Sequence, residues 1–245
     1  MNYAFPVSKV PSVPIAGIDL EFPVHRIYCV GRNYAEHTRE MGFDPEREPP
    51  FFFTKPADAI VASGASIPYA LATQNLHHEM ELVVAIGGDG VDIPREAALE
   101  YVYGYAAGLD MTRRDLQLAA RDKGRPWDVG KAFDQSAPVS AIHRASEIGH
   151  PTTGAIWLKV NDETRQSADL KDLIWPVPDV IAFLSKLFTL RPGDLIFTGT
   201  PAGVGPVKPG DRVLGGIDGV DQISITIAPL AWGRSIGSSM PPASL

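Results

Sequence analysis

Apolar positions follow two rhythms along this chain, one of period two and one of period 3.6. Residues 26–31 (Arg-Ile-Tyr-Cys-Val-Gly) are a short apolar run and predict a buried strand. Residues 51–55 are strand-like and stop at Pro56, and residues 101–110 are small and apolar, as in a central strand. Residues 79–86 alternate and are followed by Gly87-Gly88-Asp89-Gly90, which predicts a hairpin. Residues 156–160, 195–198 and 222–228 predict further strands, with a turn at Asn161-Asp162-Glu163.

The helical period is clearest over residues 178–190, where Val180, Ile181, Leu184, Leu187 and Phe188 form one apolar face. Asn33, with Glu36 three residues on, predicts an N-cap and capping box for a short helix that reaches Met41 and stops at Gly42. Pro94 opens a short helix to Glu100. Thr112 with Asp115 caps a helix of about three turns ending at Gly124. Residues 1–24 carry four prolines and predict an extended arm with a short strand or two; residues 43–50 predict loop, and residues 235–245 a flexible tail. No linker divides the chain, so residues 1–245 are expected to form a single domain. Strands outnumber helices and the βα alternation is irregular, which predicts an α+β fold with a mostly antiparallel or mixed sheet.

Composition narrows the function classes. Twenty-three glycines and 22 prolines among 245 residues exceed their combined average of about 12% and agree with a turn-rich, strand-rich fold. The net charge of −7 disfavours nucleic acid and anionic membrane as partners. A single cysteine, Cys29, excludes an internal disulfide framework, a CxxC redox pair and a multi-cysteine metal site, and fits a reducing compartment. No stretch of 18 apolar residues and no basic-then-apolar N-terminal pattern is present, so the expected location is the cytoplasm.

The densest chemistry lies in His77-His78-Glu79-Met80-Glu81. On a strand Glu79 and Glu81 point to one face, where two carboxylates repel unless a cation or water lies between them. A solvated edge with a Glu stripe competes with a metal site. Asp110, at the end of the small apolar run, adds a third carboxylate that needs a partner if buried. Three carboxylates suit a hard divalent cation, Mg²⁺ first and Mn²⁺ or Ca²⁺ next; His77 and His78 are the only nearby residues that would favour zinc. His37 and Glu40 stand at i and i+3 on the first helix, where a carboxylate-held imidazole can activate water, although a plain helix-stabilising surface pair is the commoner reason for that spacing.

Arg114, Gln117 and Arg121 share a helix face and could hold a substrate carboxylate, against ordinary helix surface. Lys131 lies among apolar neighbours, either with a lowered pKa or snorkelling to water. The Gly-rich run from Thr198 to Pro206 lacks GK[ST], and its prolines forbid the helix that a phosphate loop requires; an amide and the Thr200 hydroxyl could still bind a carboxylate. GxSxG is absent, and Cys29 reads as core.

Taken in order, Val30-Gly31-Arg32-Asn33-Tyr34 with His37, His78-Glu79-x-Glu81, Gly108-Leu109-Asp110-Met111-Thr112 with Arg114-Asp115, Lys131-x-Phe133, and Thr198-Gly199-Thr200-Pro201-x-Gly203-Val204-Gly205 resemble the fumarylacetoacetate hydrolase superfamily. The likeness runs from about Arg26 to about Pro229 and is greatest to the small acylpyruvate hydrolases. It implies a strand-rich, β-roll-like α+β fold with a few short helices, a homodimer, and Mg²⁺ held by Glu79, Glu81 and Asp110. It implies His37 and Glu40 as the water-activating dyad, Lys131 as catalytic lysine, and Arg114, Gln117 and Thr200 around the 2-oxo acid. The implied reaction is hydrolysis of a 2,4-dioxo acid at a carbon–carbon bond, with fumarylpyruvate giving fumarate and pyruvate. Arg32, Arg39 and Lys55 are the candidates for its second carboxylate. A short-chain acylpyruvase, an oxaloacetate decarboxylase, and an isomerase or hydratase are same-family alternatives. A non-catalytic small-acid-binding protein is the alternative from a different class.

Overall fold

The computed structural model describes residues 3–40 and 49–229. The predicted end of the first helix at Met41 and Gly42, most of the 43–50 loop and the 235–245 tail lie outside the described residues.

The alternating 79–86 run and the small apolar 101–110 run pair with each other. Met80–Ile86 lies antiparallel to Val102–Leu109, with Met80 opposite Leu109 and Glu81 opposite Gly108. They form the middle of a mixed eight-stranded sheet. Its order is Phe51–Lys55, Arg26–Gly31, Asp194–Phe197, Met80–Ile86, Val102–Leu109, Ala137–Val139 and Ile60–Ala62, with His143–Arg144 also on Val102–Leu109. A five-stranded sheet (Glu163–Asp169, Ala155–Val160, Arg212–Ile217, Asp221–Ala228, Ser66–Pro68) faces it. This is the strand-rich, mixed-sheet α+β fold that the sequence pattern predicts, in the β-roll-like form that the family resemblance implies.

The core explains the period-two pattern. Met80, Leu82, Val84 and Ile86 pack into one apolar cluster with Ile156, Leu158, Val213 and Ile225 of the second sheet and Val180, Ile181 and Leu184 of the Val177–Leu187 helix. Val83 and Ala85, one residue out of phase, join a second cluster with Cys29, Leu195, Phe197 and two side chains of the N-terminal arm, Val13 and Phe22. Met80–Ile86 is therefore buried on both faces. Glu81 has the parity of the second cluster, so its carboxylate is carried under cover rather than to an edge.

Four local expectations change. The glycine cluster at 87–90 makes no tight hairpin: Gly90 pairs with Leu190, and residues 87–101, including the 3₁₀ helix Arg95–Tyr101, connect the strands. Leu187 and Phe188 do not extend the buried helix face; they are 64% and 41% exposed, and Phe188 is already extended backbone. Thr112 does not cap the Arg114–Asp122 helix, because its hydroxyl bonds Asp110 O and Lys131 Nζ. Nor does Asn33 cap the Ala35–Glu40 helix. Its buried amide donates to Trp175 O (2.9 Å) and Thr198 O (2.8 Å) and accepts from Trp175 N–H (2.7 Å).

Asn33 thus ties the start of the His37 helix to two distant segments. Asn33→Ala strands one buried donor and two carbonyl acceptors, and is expected to destabilise the fold by about 2–4 kcal/mol in denaturant titration.

Candidate active site

The site forms where the two central strands end. Asp110 N–H donates to Glu79 O at 2.9 Å, which draws Glu79, Glu81 and Asp110 together. One carboxylate oxygen from each lies within 4.8 Å of the others, and all three residues are buried. Burial rules out the solvated Glu stripe.

Three cations meet this cluster, and they are distributed unevenly. Lys131, on the short Asp128–Lys131 helix, directs its ammonium at Glu79 Oε2 (2.6 Å), Asp110 Oδ2 (2.6 Å) and Thr112 Oγ1 (2.7 Å). Arg114 bonds Glu79 Oε1 and Gln117 Oε1. Lys55 Nζ lies 2.8 Å from Asp110 Oδ1 and donates to the carbonyls of Met111 (3.1 Å) and Lys131. Among the described residues no ion pair reaches Glu81, whose Oε2 accepts from Gly199 N–H at 2.7 Å.

The ionisation preferences follow. Burial, then the Asp110 and Glu79 charges, push the Glu81 carboxyl well above the usual carboxylate range. Burial also opposes ionisation of Glu79, but Lys131 and Arg114 outweigh it and hold that carboxyl low. Burial alone would lower Lys131; Asp110 and Glu79 reverse this and keep it an ammonium. The lowered pKa considered for Lys131 is therefore overturned, and so is snorkelling, since the residue is 2% exposed.

The residues fit a divalent cation. Glu81 is a buried carboxylate without a cation, and Asp110 Oδ1 makes no directed hydrogen bond. An all-oxygen set of this charge suits a hard ion. Zinc is not favoured: His77 bonds Asn75 and Arg114, His78 bonds Gln166, and neither joins the cluster.

His37 Nδ1 stands 3.1 Å from Glu40 Oε2, and His37 is buried and lines the cavity above the carboxylates. The hydrogen bond from His37 lowers the Glu40 carboxyl below its ordinary value. Glu40 is held in turn by Gly203 N–H at 3.2 Å. The Gly-rich segment therefore gives its amides to two carboxylates, Gly199 to Glu81 and Gly203 to Glu40. Both glycines are left-handed (φ +99° and +92°), and a Cβ on Gly203 would lie 2.0 Å from Arg165 O, so a larger residue could not hold this course.

The cavity is lined by Glu79, Glu81 and Asp110 together with His37. Arg114, Gln117 and Arg121 all line it, as do Thr200 and Arg32. Thr200 Oγ1 accepts from Gln166 Nε2 at 2.8 Å. Arg32 has φ +59°, the turn by which the chain leaves the Arg26–Gly31 strand for the His37 helix. Of the other candidates for a distal carboxylate, Lys55 is buried against Asp110, and Arg39 is exposed and does not line the cavity. Cys29 is core, and burial raises its thiol far above the ordinary value.

Sequence reasoning missed Lys55 as a partner of the cluster, Gly199 and Gly203 as amide donors, and Gln166 as the residue that fixes Thr200. The signal for Lys55 was its parity with Phe51 and Phe53 on a half-buried strand. The amide donors carry no side-chain signal at all.

Comparison with known proteins gives a consistent picture. The family model for the fumarylacetoacetate hydrolase C-terminal region matches residues 26–228. A fumarylpyruvate hydrolase of a Ralstonia species is 50% identical over 186 residues, 76% of this chain and 96% of that protein. A mitochondrial oxaloacetate tautomerase of Mus musculus is 47% identical over 194 residues, 79% of this chain and 87% of that protein. The crystal structure of fumarylpyruvate hydrolase from Pseudomonas aeruginosa in complex with Mn²⁺ and pyruvate has a TM-score of 0.91 at 56% identity, covering 93% of this chain and 100% of its own.

Proposed function

From a chain that belongs to the fumarylacetoacetate hydrolase family, we infer an enzyme that hydrolyses the carbon–carbon bond of an acylpyruvate, with fumarylpyruvate giving fumarate and pyruvate. The observation that carries this reading is the pairing of His37 and Glu40 over the same cavity as the carboxylate cluster. Decarboxylation requires no attacking water and leaves such a dyad without a task.

A divalent cation belongs to the site, with Glu79, Glu81 and Asp110 as the residues that would hold it. When bound, it supplies Lewis-acid polarisation of the 2-oxo acid and stabilises enolate charge as the bond breaks. Mg²⁺ is the ion we propose, with Mn²⁺ or Ca²⁺ as substitutes. The charges agree: Glu79 and Asp110 already meet three cations, so with Glu81 ionised on the metal a divalent ion leaves an excess that a dianionic acid matches.

His37 donates Nδ1–H to Glu40, which leaves Nε2 as the base that takes a proton from water. The hydroxide adds to the carbonyl of the acyl arm. The bond to the pyruvate methylene then breaks; the acyl part leaves as a carboxylate, and the enolate of pyruvate takes up a proton to complete the addition of water. Lys131 stays an ammonium and acts as a charge partner to the developing oxyanion rather than as a base. Arg114, Gln117 and Thr200 hold the 2-oxo acid carboxylate, Arg114 being fixed in place by Glu79. In this reading the whole chain is one catalytic domain, acting as a homodimer in the cytoplasm.

The oxaloacetate tautomerase relatives define the competing activity. With metal-loaded protein, kcat/KM for fumarylpyruvate is expected to exceed that for oxaloacetate and for short neutral acylpyruvates, read at the enol absorbance. A preference for oxaloacetate overturns the substrate assignment.

A further inference from the structure

The helix that carries Arg114 and Gln117 continues along the cavity wall to Arg121. Residues 114, 117, 118 and 121 fall on one face, and all four line the cavity. The burial changes along this face: Arg114 and Gln117 are 4% and 5% exposed, whereas the Arg121 side chain is 31% exposed. The helix therefore runs from the carboxylate cluster towards the mouth. Seven residues of helix set the Arg121 backbone about 10 Å further out than that of Arg114.

We propose that Arg121 reads the second carboxylate of a dicarboxylic acylpyruvate; this rests on the acylpyruvate reading above. A 2-oxo acid seated by Arg114 and Gln117 directs its acyl arm outward along the same helix face. Six bonds separate the two carboxylate carbons of fumarylpyruvate, about 7–8 Å when extended. That span is within reach of a guanidinium rooted two turns further out. Between the two ends, Phe53, Leu118 and Trp127 line the cavity and offer apolar walls to an unsaturated carbon arm.

The other cations are engaged differently. Lys55 is committed to Asp110 and two backbone carbonyls. Arg32 lies over the Phe51 ring, 5.5 Å from its centroid. Arg121 contacts the carboxylate of its own neighbour, Asp122, at 2.8–2.9 Å, and the Asp122 side chain is 63% exposed. An exposed pair of this kind contributes little, so Asp122 is itself no bar to exchange with a substrate carboxylate in a half-buried cavity. A planar fork of donors suits that exchange.

The test compares Arg121→Gln and Arg121→Lys with wild type on fumarylpyruvate and on 2,4-dioxopentanoate, which ends in a neutral methyl group. The ratio of kcat/KM for the charged over the neutral acid is expected to fall about 10- to 100-fold in Arg121→Gln, carried mainly by KM, with partial recovery in Arg121→Lys. The ratio is insensitive to the fraction of correctly folded protein, so a purely structural defect does not move it. An unchanged ratio in Arg121→Gln overturns the assignment of Arg121 alone. A wild-type protein that cleaves neither acid overturns both this assignment and the acylpyruvate reading.

Discussion

Glu81→Gln is expected to abolish tight divalent-metal binding and to lower hydrolysis by roughly 10³-fold without destabilising the metal-free protein. The reason is the uneven charge distribution around the cluster. Glu79 and Asp110 are both paired with cations, whereas Glu81 is a buried carboxylate held by the Gly199 amide and disfavoured as an anion by burial first and then by its neighbours. Its charge has no internal use, so an amide of the same shape leaves the apo fold no worse off. The paired carboxylate behaves oppositely. Glu79→Gln leaves Arg114 without its anion and Lys131 with Asp110 alone, and is expected to cost about 3–5 kcal/mol of apo stability. Calorimetric metal titration and thermal unfolding of both variants separate these outcomes. Equal destabilisation by the two substitutions would contradict the division of roles.

His37→Ala is expected to lower kcat for acylpyruvate hydrolysis by about 10²–10⁴ while leaving metal affinity near wild type. Among the described residues the imidazole is held by Glu40, which is itself tied to Gly203, and it pairs with none of the three cluster carboxylates within 4 Å. Its removal should spare the metal site. Glu40→Gln is the milder variant, because the amide can still accept from Nδ1–H while the charge that stabilises an imidazolium is lost. Full hydrolysis by His37→Ala in stopped assays of pyruvate release would place the base elsewhere.

Much of the site was legible because its residues obey local periodicities. Glu79 and Glu81 share strand parity, His37 and Glu40 share a helix face, and Arg114, Gln117 and Arg121 recur at helical spacing. The strands that bury the site were legible for the same reason: residues 26–31, 79–86 and 101–110 are short apolar runs bounded by turn residues, as strands of a covered sheet are. What escaped sequence reasoning depends on chain crossings. Asn33 reads as a helix cap because Asn is a good cap, but Trp175 and Thr198, far along the chain, claim its amide. Thr112 is diverted in the same way by Lys131. The strand Glu163–Asp169 was not anticipated, because Glu-Thr-Arg-Gln-Ser-Ala-Asp shows almost no apolar alternation; its backbone pairing to Ala155–Val160 creates it. The amides of Gly199 and Gly203 are positioned by backbone course alone.

The central claim is that this protein, with a divalent ion, adds water across a carbon–carbon bond. The most direct measurement is product stoichiometry with fumarylpyruvate, counting pyruvate and fumarate against substrate lost, before and after chelation with EDTA and on return of Mg²⁺. The expected result is one pyruvate and one fumarate per substrate, with the activity lost on chelation and restored by the ion. Loss of enol absorbance without release of pyruvate, or a rate indifferent to EDTA, would contradict the account.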